Sequence, residues 1–291
     1  MTLVQLIPLV LQVSVALIVV SVALRAVPSD VIWLLRRPSL LLRSLLAMNI
    51  VMPFLAALIA SLFHIRPSVE AALILLSISP VPPVLPNKQV KAGGNVSYAV
   101  GLLAVSAVIS IVTVPYSVSL IGGWFGLDLR VPTAAIAVVV GKSVLAPLLL
   151  GLIVKSAAPA LAARLTRPLT IVGMLVLVLA LLPVLIKMWP AVAAQATLKS
   201  LVAIVLFTLL SLAVGHLLGG PAAEDREVLA LSTACRHPGV AVTIITAAAA
   251  PDQKGTVVAA VFLCVLVGTV VTGPYAKRRA LRPAAAAKAT T

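Results

Sequence analysis

Four prolines fall within eight residues of one apolar segment, in the stretch Ser79-Pro80-Val81-Pro82-Pro83-Val84-Leu85-Pro86. Each proline removes a backbone N–H donor, and its ring clashes with the preceding turn, so a helix that enters this stretch must break. A second apolar segment is interrupted by Ala234-Cys235-Arg236-His237-Pro238-Gly239, which adds two ionisable side chains. These two interruptions are the features of the sequence that decide the fold.

The rest of the chain has the composition of a protein that crosses a lipid bilayer. Apolar residues make up 62% of the 291 residues and charged residues 10%, whereas soluble domains carry roughly 25% charged residues. The apolar runs repeatedly reach the roughly 20 residues that a helix needs to cross the hydrocarbon. They are continuous rather than alternating, which predicts helices and excludes an outer-membrane barrel. We therefore expect an all-α polytopic membrane protein, with residues 1–291 in a single membrane domain.

The sequence predicts nine transmembrane helices, in which the two interruptions fall in helices 3 and 8. We place the helices at residues 3–25, 39–62, 69–87, 95–121, 132–155, 168–187, 199–219, 227–249 and 255–276. The broken helices are five apart, so they run in opposite directions, which is typical of an inverted repeat with a binding site between the breaks. Broken backbone within a membrane requires protein or a water-filled cavity to satisfy its polar groups.

Lysine and arginine residues predict the orientation of the nine helices. With the N-terminus outside, fifteen of these residues fall on the cytoplasmic side and five on the opposite side, while Lys142 and Arg236 fall within the membrane. This excess follows the positive-inside rule. The net charge of +15 is thus explained by topology, and nucleic acid is excluded as a partner. The expected location is a bacterial-type inner (plasma) membrane, with residues 277–291 as a basic cytoplasmic tail.

Five stretches, in order along the chain, resemble a known family of carriers. They are Val27-Pro28-Ser29-Asp30 with Arg36-Arg37-Pro38; Met52-Pro53; Pro80 followed by Gly94-Asn95-Val96; Lys142 with Pro147 and Gly151-Leu152-Ile153-Val154; and Gly215-His216-Leu217-Leu218-Gly219 leading to Arg236-His237-Pro238-Gly239. As an ordered set they resemble the bile acid:sodium symporter family. The resemblance implies a core subdomain over roughly 39–121 and 199–276, a panel subdomain over roughly 3–25 and 132–187, and a substrate cavity between them.

The resemblance also implies a secondary transporter that moves a small organic anion by alternating access, usually driven by sodium. The positions that match the family's sodium ligands are Met48, Leu85, Pro86, Ala99, Leu103, Ser232 and Arg236. Of these, only Ser232 offers a side-chain oxygen, and hard cations require several oxygen ligands. Sodium is therefore possible but disfavoured, and no metal site and no other cofactor are expected.

Two alternatives stay open at this point: a transport-inactive membrane sensor or scaffold with the same fold, and a sodium symporter that uses backbone ligands. An enzyme is disfavoured because the predicted helices hold no acid/base pair of the kind that catalysis needs. The sequence identifies neither the substrate nor the oligomeric state.

The candidate substrate-binding residues are polar groups near the two interruptions or within the membrane. They are Arg236, His237, Asn49, Ser79, Asn95, Ser97, Thr233 and Lys142; the candidate crossover backbone is formed by Pro80, Pro82, Pro83, Pro86, Pro238 and Gly239. Arg236 is equally compatible with binding an anion and with capping carbonyls of the broken third helix. His237 is better interpreted as a neutral packing histidine than as a proton carrier. The small polar residues are better interpreted as hydrogen-bonding links between helices, and for Lys142 substrate contact and snorkelling have equal weight.

Overall fold

The computed structural model describes residues 3–124 and 130–289 as a bundle of twelve helices, and these ranges contain no strand. The helices are α1 (Leu3–Ala23), α2 (Pro28–Trp33), α3 (Pro38–Phe63), α4 (Pro67–Ile78), α5 (Leu85–Lys91), α6 (Val96–Trp124), α7 (Thr133–Ala157), α8 (Pro159–Gln195), α9 (Leu198–Leu218), α10 (Ala223–Ala234), α11 (Pro238–Ala248) and α12 (Pro251–Ala289). The predicted all-α class is confirmed. Residues 290 and 291 of the predicted tail lie outside the described residues.

Seven segments of the described chain are long and apolar enough to cross a membrane. They are Pro38–Phe63, Val96–Ile121, Thr133–Ala157, Pro159–Gln195, Leu198–Leu218, Ala223–Ala248 and Pro251–Arg279. The predicted helix at 3–25 corresponds to α1 (Leu3–Ala23), and the one at 69–87 corresponds to α4 and α5, of which Pro67–Ile78 is a shorter apolar helix. The predicted count of nine is thus not confirmed, because the break after Ile78 leaves only twelve residues in α4.

Two of the differences from the predicted helices involve a proline at the first position of a helix. The sixth predicted helix begins at residue 168, but α8 begins at Pro159 and continues through Pro168 to Gln195. Proline is favoured at the first helical position, and neighbouring helices allow prolines inside a membrane helix. The short helix α2 was not predicted; its first turn is capped by Asp30, whose carboxylate accepts a hydrogen bond of 2.8 Å from the Val27 N–H.

Both predicted breaks are present, and they meet. Helix α4 ends at Ile78 and α5 begins at Leu85, while α10 ends at Ala234 and α11 begins at Pro238. The His237 N–H donates a hydrogen bond of 2.9 Å to the Pro80 carbonyl, which joins one break to the other. Both predicted interruptions thus coincide with gaps between helices, and the two gaps contact each other. Prolines in both breaks remove the donors that would continue each helix.

Helices α9 and α10 approach each other closely at two glycines. An added Cβ at Gly215 would lie 2.5 Å from the Ala230 Cα and 2.6 Å from the Leu229 carbonyl oxygen, and one at Gly219 would lie 2.5 Å from the Arg226 Cα. The two backbones therefore pack at a distance that only glycine permits, as is common between membrane helices. This contact fixes α10, and with it the second break, against α9.

Residues predicted to share the cytoplasmic side contact one another at one end of the bundle. Arg37 lies 3.9 Å from Asp225, and Arg279 forms a 3.0 Å ion pair with Glu227. At the opposite end, Ser68 donates a hydrogen bond of 2.6 Å to Gln195, and Lys254 donates one of 2.8 Å to the Thr246 carbonyl. The bundle thus has two polar ends, and the side of the membrane on which each end lies stays a prediction.

The close approach of α9 and α10 predicts that two glycine-to-alanine substitutions differ in their effect on the unfolding temperature. Gly215→Ala should lower the thermal unfolding temperature in detergent, because overpacking of this kind costs about 1–3 kcal/mol. Gly273→Ala in α12 is the control, since an added Cβ there meets nothing within 4 Å. It should be neutral or stabilising because alanine has the higher helix propensity. Equal unfolding temperatures for the two variants would contradict the packing.

Candidate functional site

Arg236 lies where the two breaks meet, and its guanidinium group binds backbone carbonyls. Nη2 donates hydrogen bonds to the carbonyl oxygens of Met48 and Ser77. Ser77 belongs to the last turn of α4, whose terminal carbonyls have no partner within the helix. Met48 lies in a π-helical turn of α3, Ala47–Val51. Arg236 is only 6% exposed, so its charge is held inside the bundle by the negative ends of two backbone dipoles.

These hydrogen bonds limit how Arg236 can bind an anion. A guanidinium grips a carboxylate with two parallel hydrogen bonds through an edge of its planar fork, and both usable edges include Nη2. Because Nη2 donates to Met48 and Ser77, neither edge is free in this conformation. Nε and Nη1 are buried and have no hydrogen-bond partner among the described residues. The geometry therefore favours the capping interpretation of Arg236 over a bidentate contact with substrate.

His237 caps the first turn of α11. Its Nδ1 accepts a hydrogen bond of 3.1 Å from the Gly239 N–H, and its Nε2 lies 3.4 Å from the Ser143 hydroxyl. Ser143 in turn donates to the Val139 carbonyl at 2.7 Å. A ring nitrogen that accepts from a backbone N–H carries no proton, so the imidazole is neutral and donates from Nε2. The ring thus links the second break to α7, as expected of a packing histidine.

Three of the small polar candidates hydrogen-bond to backbone carbonyls near the breaks. Asn49 donates to the Leu45 carbonyl at 3.2 Å, and Ser79 donates to the Leu75 carbonyl at 2.7 Å. Thr233 lies within 2.7 Å of the Ser211 carbonyl, on the neighbouring helix α9. Asn49 and Ser79 thus bond to carbonyls four residues earlier in the chain, whereas Thr233 links α10 to α9.

Asn95 and Ser97 lie elsewhere than the sequence interpretation placed them. The Ser97 hydroxyl donates a hydrogen bond of 2.5 Å to Asp30, and the Asn95 N–H donates one of 3.3 Å to the Glu224 carbonyl. Both residues are therefore at the polar end of the bundle with α2 and α10, not beside the crossover. The reason is that α5 (Leu85–Lys91) lies between the first break and the start of α6, so the chain has left the break before Asn95.

Lys142 is exposed and belongs to a second π-helical turn, Gly141–Leu145, in α7. Its neighbour Ser143 contacts His237, while an added Cβ at Gly141 would meet nothing within 4 Å. The turn thus brings Ser143 to the crossover and directs Lys142 away from the packed interior. Lys142 is not part of the cavity described next.

A cavity of about 300 Å³ lies beside the crossover. Its polar and charged lining comes from Lys88, Arg236, Thr208, Thr269 and Cys235, and no acidic residue lines it. The remaining lining is apolar and is contributed by α4, α5, α8, α9 and α12; it includes Leu73, Leu76, Met174, Ile204, Phe207 and Val265. A concave, mostly apolar site with a few polar groups is typical of a small-molecule site.

Two oxygen atoms at the positions that the resemblance matches to sodium ligands accept hydrogen bonds. The Met48 carbonyl accepts from Arg236, and the Ser232 hydroxyl accepts a hydrogen bond of 2.7 Å from the Gln89 amide. Among the described residues, no group of three or more His, Cys, Asp and Glu side chains is placed to hold a metal ion.

A family comparison now fits this architecture. The profile of the Sodium Bile acid symporter family matches residues 12–189, which is more than half of the 291 residues. The chain belongs to this family. It is accordingly an integral membrane protein of a transporter family, and the recognition made from the ordered motifs is confirmed. The matched range includes the first break and ends before Arg236. A comparison with curated proteins returns no match.

The contacts of Arg236 predict which of two substitutions lowers the unfolding temperature more. Arg236→Met removes two charge-assisted hydrogen bonds of about 1.5–3 kcal/mol each, while it also relieves about 2.5–3.5 kcal/mol of charge burial. These two contributions partly cancel, so we expect the free energy of unfolding to fall by about 1–2 kcal/mol. Arg236→Lys keeps a charged donor for the carbonyls and should unfold at a higher temperature than Arg236→Met.

Arg226→Met in α10 is the control, because the Arg226 Nε donates a hydrogen bond of 2.7 Å to the Gly220 carbonyl. It should lower the unfolding temperature less than Arg236→Met does. An Arg236→Met variant as stable as the unaltered protein would contradict the capping role.

Proposed function

We propose that the protein is a secondary carrier that moves a small organic anion across a bacterial-type inner membrane by alternating access, without sodium coupling through the family's usual sites. The observation that carries the proposal is the pair of hydrogen bonds from Arg236 to the Met48 and Ser77 carbonyls. In this proposal the guanidinium is a tethered cation that neutralises the backbone dipoles at the breaks.

Electrostatics favours this proposal over a mobile sodium ion. Two like unit charges 4 Å apart repel each other by about 4 kcal/mol at an effective dielectric constant of about 20. A sodium ion at the carbonyls held by Arg236 would meet this repulsion and would find few hard oxygen ligands. A permanent internal charge does not dissociate, so the crossover keeps its shape through the whole transport cycle.

The choice of an organic anion rests on the cavity. Two cationic side chains, Lys88 and Arg236, line it without any acidic lining residue, and the rest of its wall is largely apolar. Its volume of about 300 Å³ corresponds to roughly ten water molecules at about 30 Å³ each. A compact solute with one charged group and an apolar body fits these dimensions and this lining.

The proposed movement follows from the position of the cavity between α8 and the broken helices. Helix α1 packs on α7 and α8, and we assign these three to the panel and the broken helices with α3, α6, α9 and α12 to the core. Rocking of one subdomain against the other exposes the crossover to each side in turn. Nine passes, with the N-terminus outside and the C-terminus in the cytoplasm, complete the proposed topology.

Sodium dependence of uptake tests the proposal. Ligands are first found by a thermal-shift screen of carboxylates that includes pyruvate, pantoate and a bile acid, because a ligand of the native state raises the unfolding temperature. Uptake of the best ligand into proteoliposomes is then measured in sodium and in choline, at equal ionic strength and clamped membrane potential. We expect equal rates in both salts, above those of empty liposomes.

Two results would overturn the proposal. A steep rise of uptake with sodium would favour a symporter that uses backbone ligands. Binding of a carboxylate without uptake or counterflow would favour a membrane sensor or scaffold.

A further inference from the structure

Two cations line the cavity, and they differ in how they can meet a solute. Arg236 is 6% exposed and donates both Nη2 hydrogens to backbone carbonyls. Lys88 is half-buried on α5 and lines the same cavity. Lys88 is therefore the more exposed of the two cations and the one less engaged by the backbone.

The Lys88 ammonium is oriented by helix α12. Nζ donates a hydrogen bond of 2.6 Å to the Thr272 hydroxyl, and that hydroxyl donates to the Gly268 carbonyl at 2.7 Å. Thr272 is fully buried, so the ammonium is tied to the packed face of α12. An ammonium has three donors, and the described residues provide a partner for one of them. Two donors remain for an anionic group.

A simpler explanation for Lys88 is that it interacts with the C-terminus of α5, where basic residues are favourable. Lys91, which is exposed in the last turn of the same helix, has only this role. Lys88 differs from Lys91 because it reaches across to Thr272 and lines the cavity. The contact with α12 is not needed for an interaction with the α5 dipole.

We propose that Lys88 is the residue that binds the anionic group of the transported solute. Arg236, in the break that lines the same cavity, adds positive electrostatic potential. This assignment rests on the proposed function and specifies its site. The apolar wall, with Phe207 and Leu76 among its members, then packs against the body of the solute. The substrate class is a compact monoanion with its charge at one end and an apolar body.

A native thiol reports on this cavity. Cys235 is partly exposed and lines the cavity next to Arg236. The second cysteine, Cys264, also lines the cavity and is removed by Cys264→Ala. The reaction rates of Cys235 with charged thiol reagents then measure the electrostatic potential that a small solute meets there, and no knowledge of the substrate is required.

The experiment uses the detergent-solubilised Cys264→Ala protein, so that both ends of the bundle are open to reagent. Rates are measured with the anionic sulfonatoethyl and the cationic trimethylammonioethyl methanethiosulfonates, each normalised to its rate with free mercaptoethanol. The ratio of the two rates cancels any change in thiol ionisation. Neutral N-ethylmaleimide verifies that the thiol stays accessible in each variant.

We expect the anionic reagent to react faster than the cationic one. Lys88→Gln should lower the anionic-to-cationic ratio by about tenfold, because removal of one unit charge acts oppositely on the two reagents. Lys88→Arg should keep the ratio, and Lys91→Gln is the matched control that should also keep it. Lys88→Arg retains the charge if Lys88→Gln fails to fold, and a changed ratio in Lys88→Arg would overturn the assignment.

The assignment is also overturned by an unchanged ratio in Lys88→Gln, or by a Cys235 thiol that excludes both charged reagents in the parent protein. These outcomes are independent of sodium. If the cavity is charge-selective but uptake depends strongly on sodium, the assignment of Lys88 stands. The proposed carrier without sodium coupling is then rejected.

Discussion

Backbone groups freed where two helices are interrupted must find partners inside the bundle, and this constraint governs the rest of the structure. Prolines in the break from Ser79 to Val84 end α4 and leave the Ser77 carbonyl without an intrahelical donor. The second break supplies what is missing: Arg236 donates to Ser77, and the His237 N–H donates to Pro80. The two breaks therefore stabilise each other, and neither has satisfied backbone groups alone.

The same constraint connects packing to function. Gly215 brings α9 and α10 close enough to hold the second break in position, and His237 extends the contact through Ser143 to α7. In the proposed function, a charge that caps carbonyls from within the chain takes the role that a bound cation would have at such a site. The cavity beside it then keeps a positive potential at all times, which suits an anion.

The sequence predicts the parts of this arrangement that depend on local chemistry. The breaks are predictable because proline acts on its own turn, and the all-α class follows from the continuous apolar runs. The partners of Arg236 are not predictable, since Met48 and Ser77 lie 188 and 159 positions away in the chain. Lys88 was missed because the positive-inside rule already explained its charge. Asn95 and Ser97 lie away from the crossover because the helix α5, which was not predicted as separate, lies between the first break and α6.

We propose that the Arg236 guanidinium occupies the place of a cation at the crossover. A direct measurement of sodium binding to the protein is the sharpest test of this role. Equilibrium binding of radioactive sodium to the purified protein can be measured at constant ionic strength, with potassium as competitor and a heat-unfolded sample as background. We expect no saturable binding to the unaltered protein. Saturable, near-stoichiometric sodium binding that persists alongside the Arg236 charge would contradict the claim.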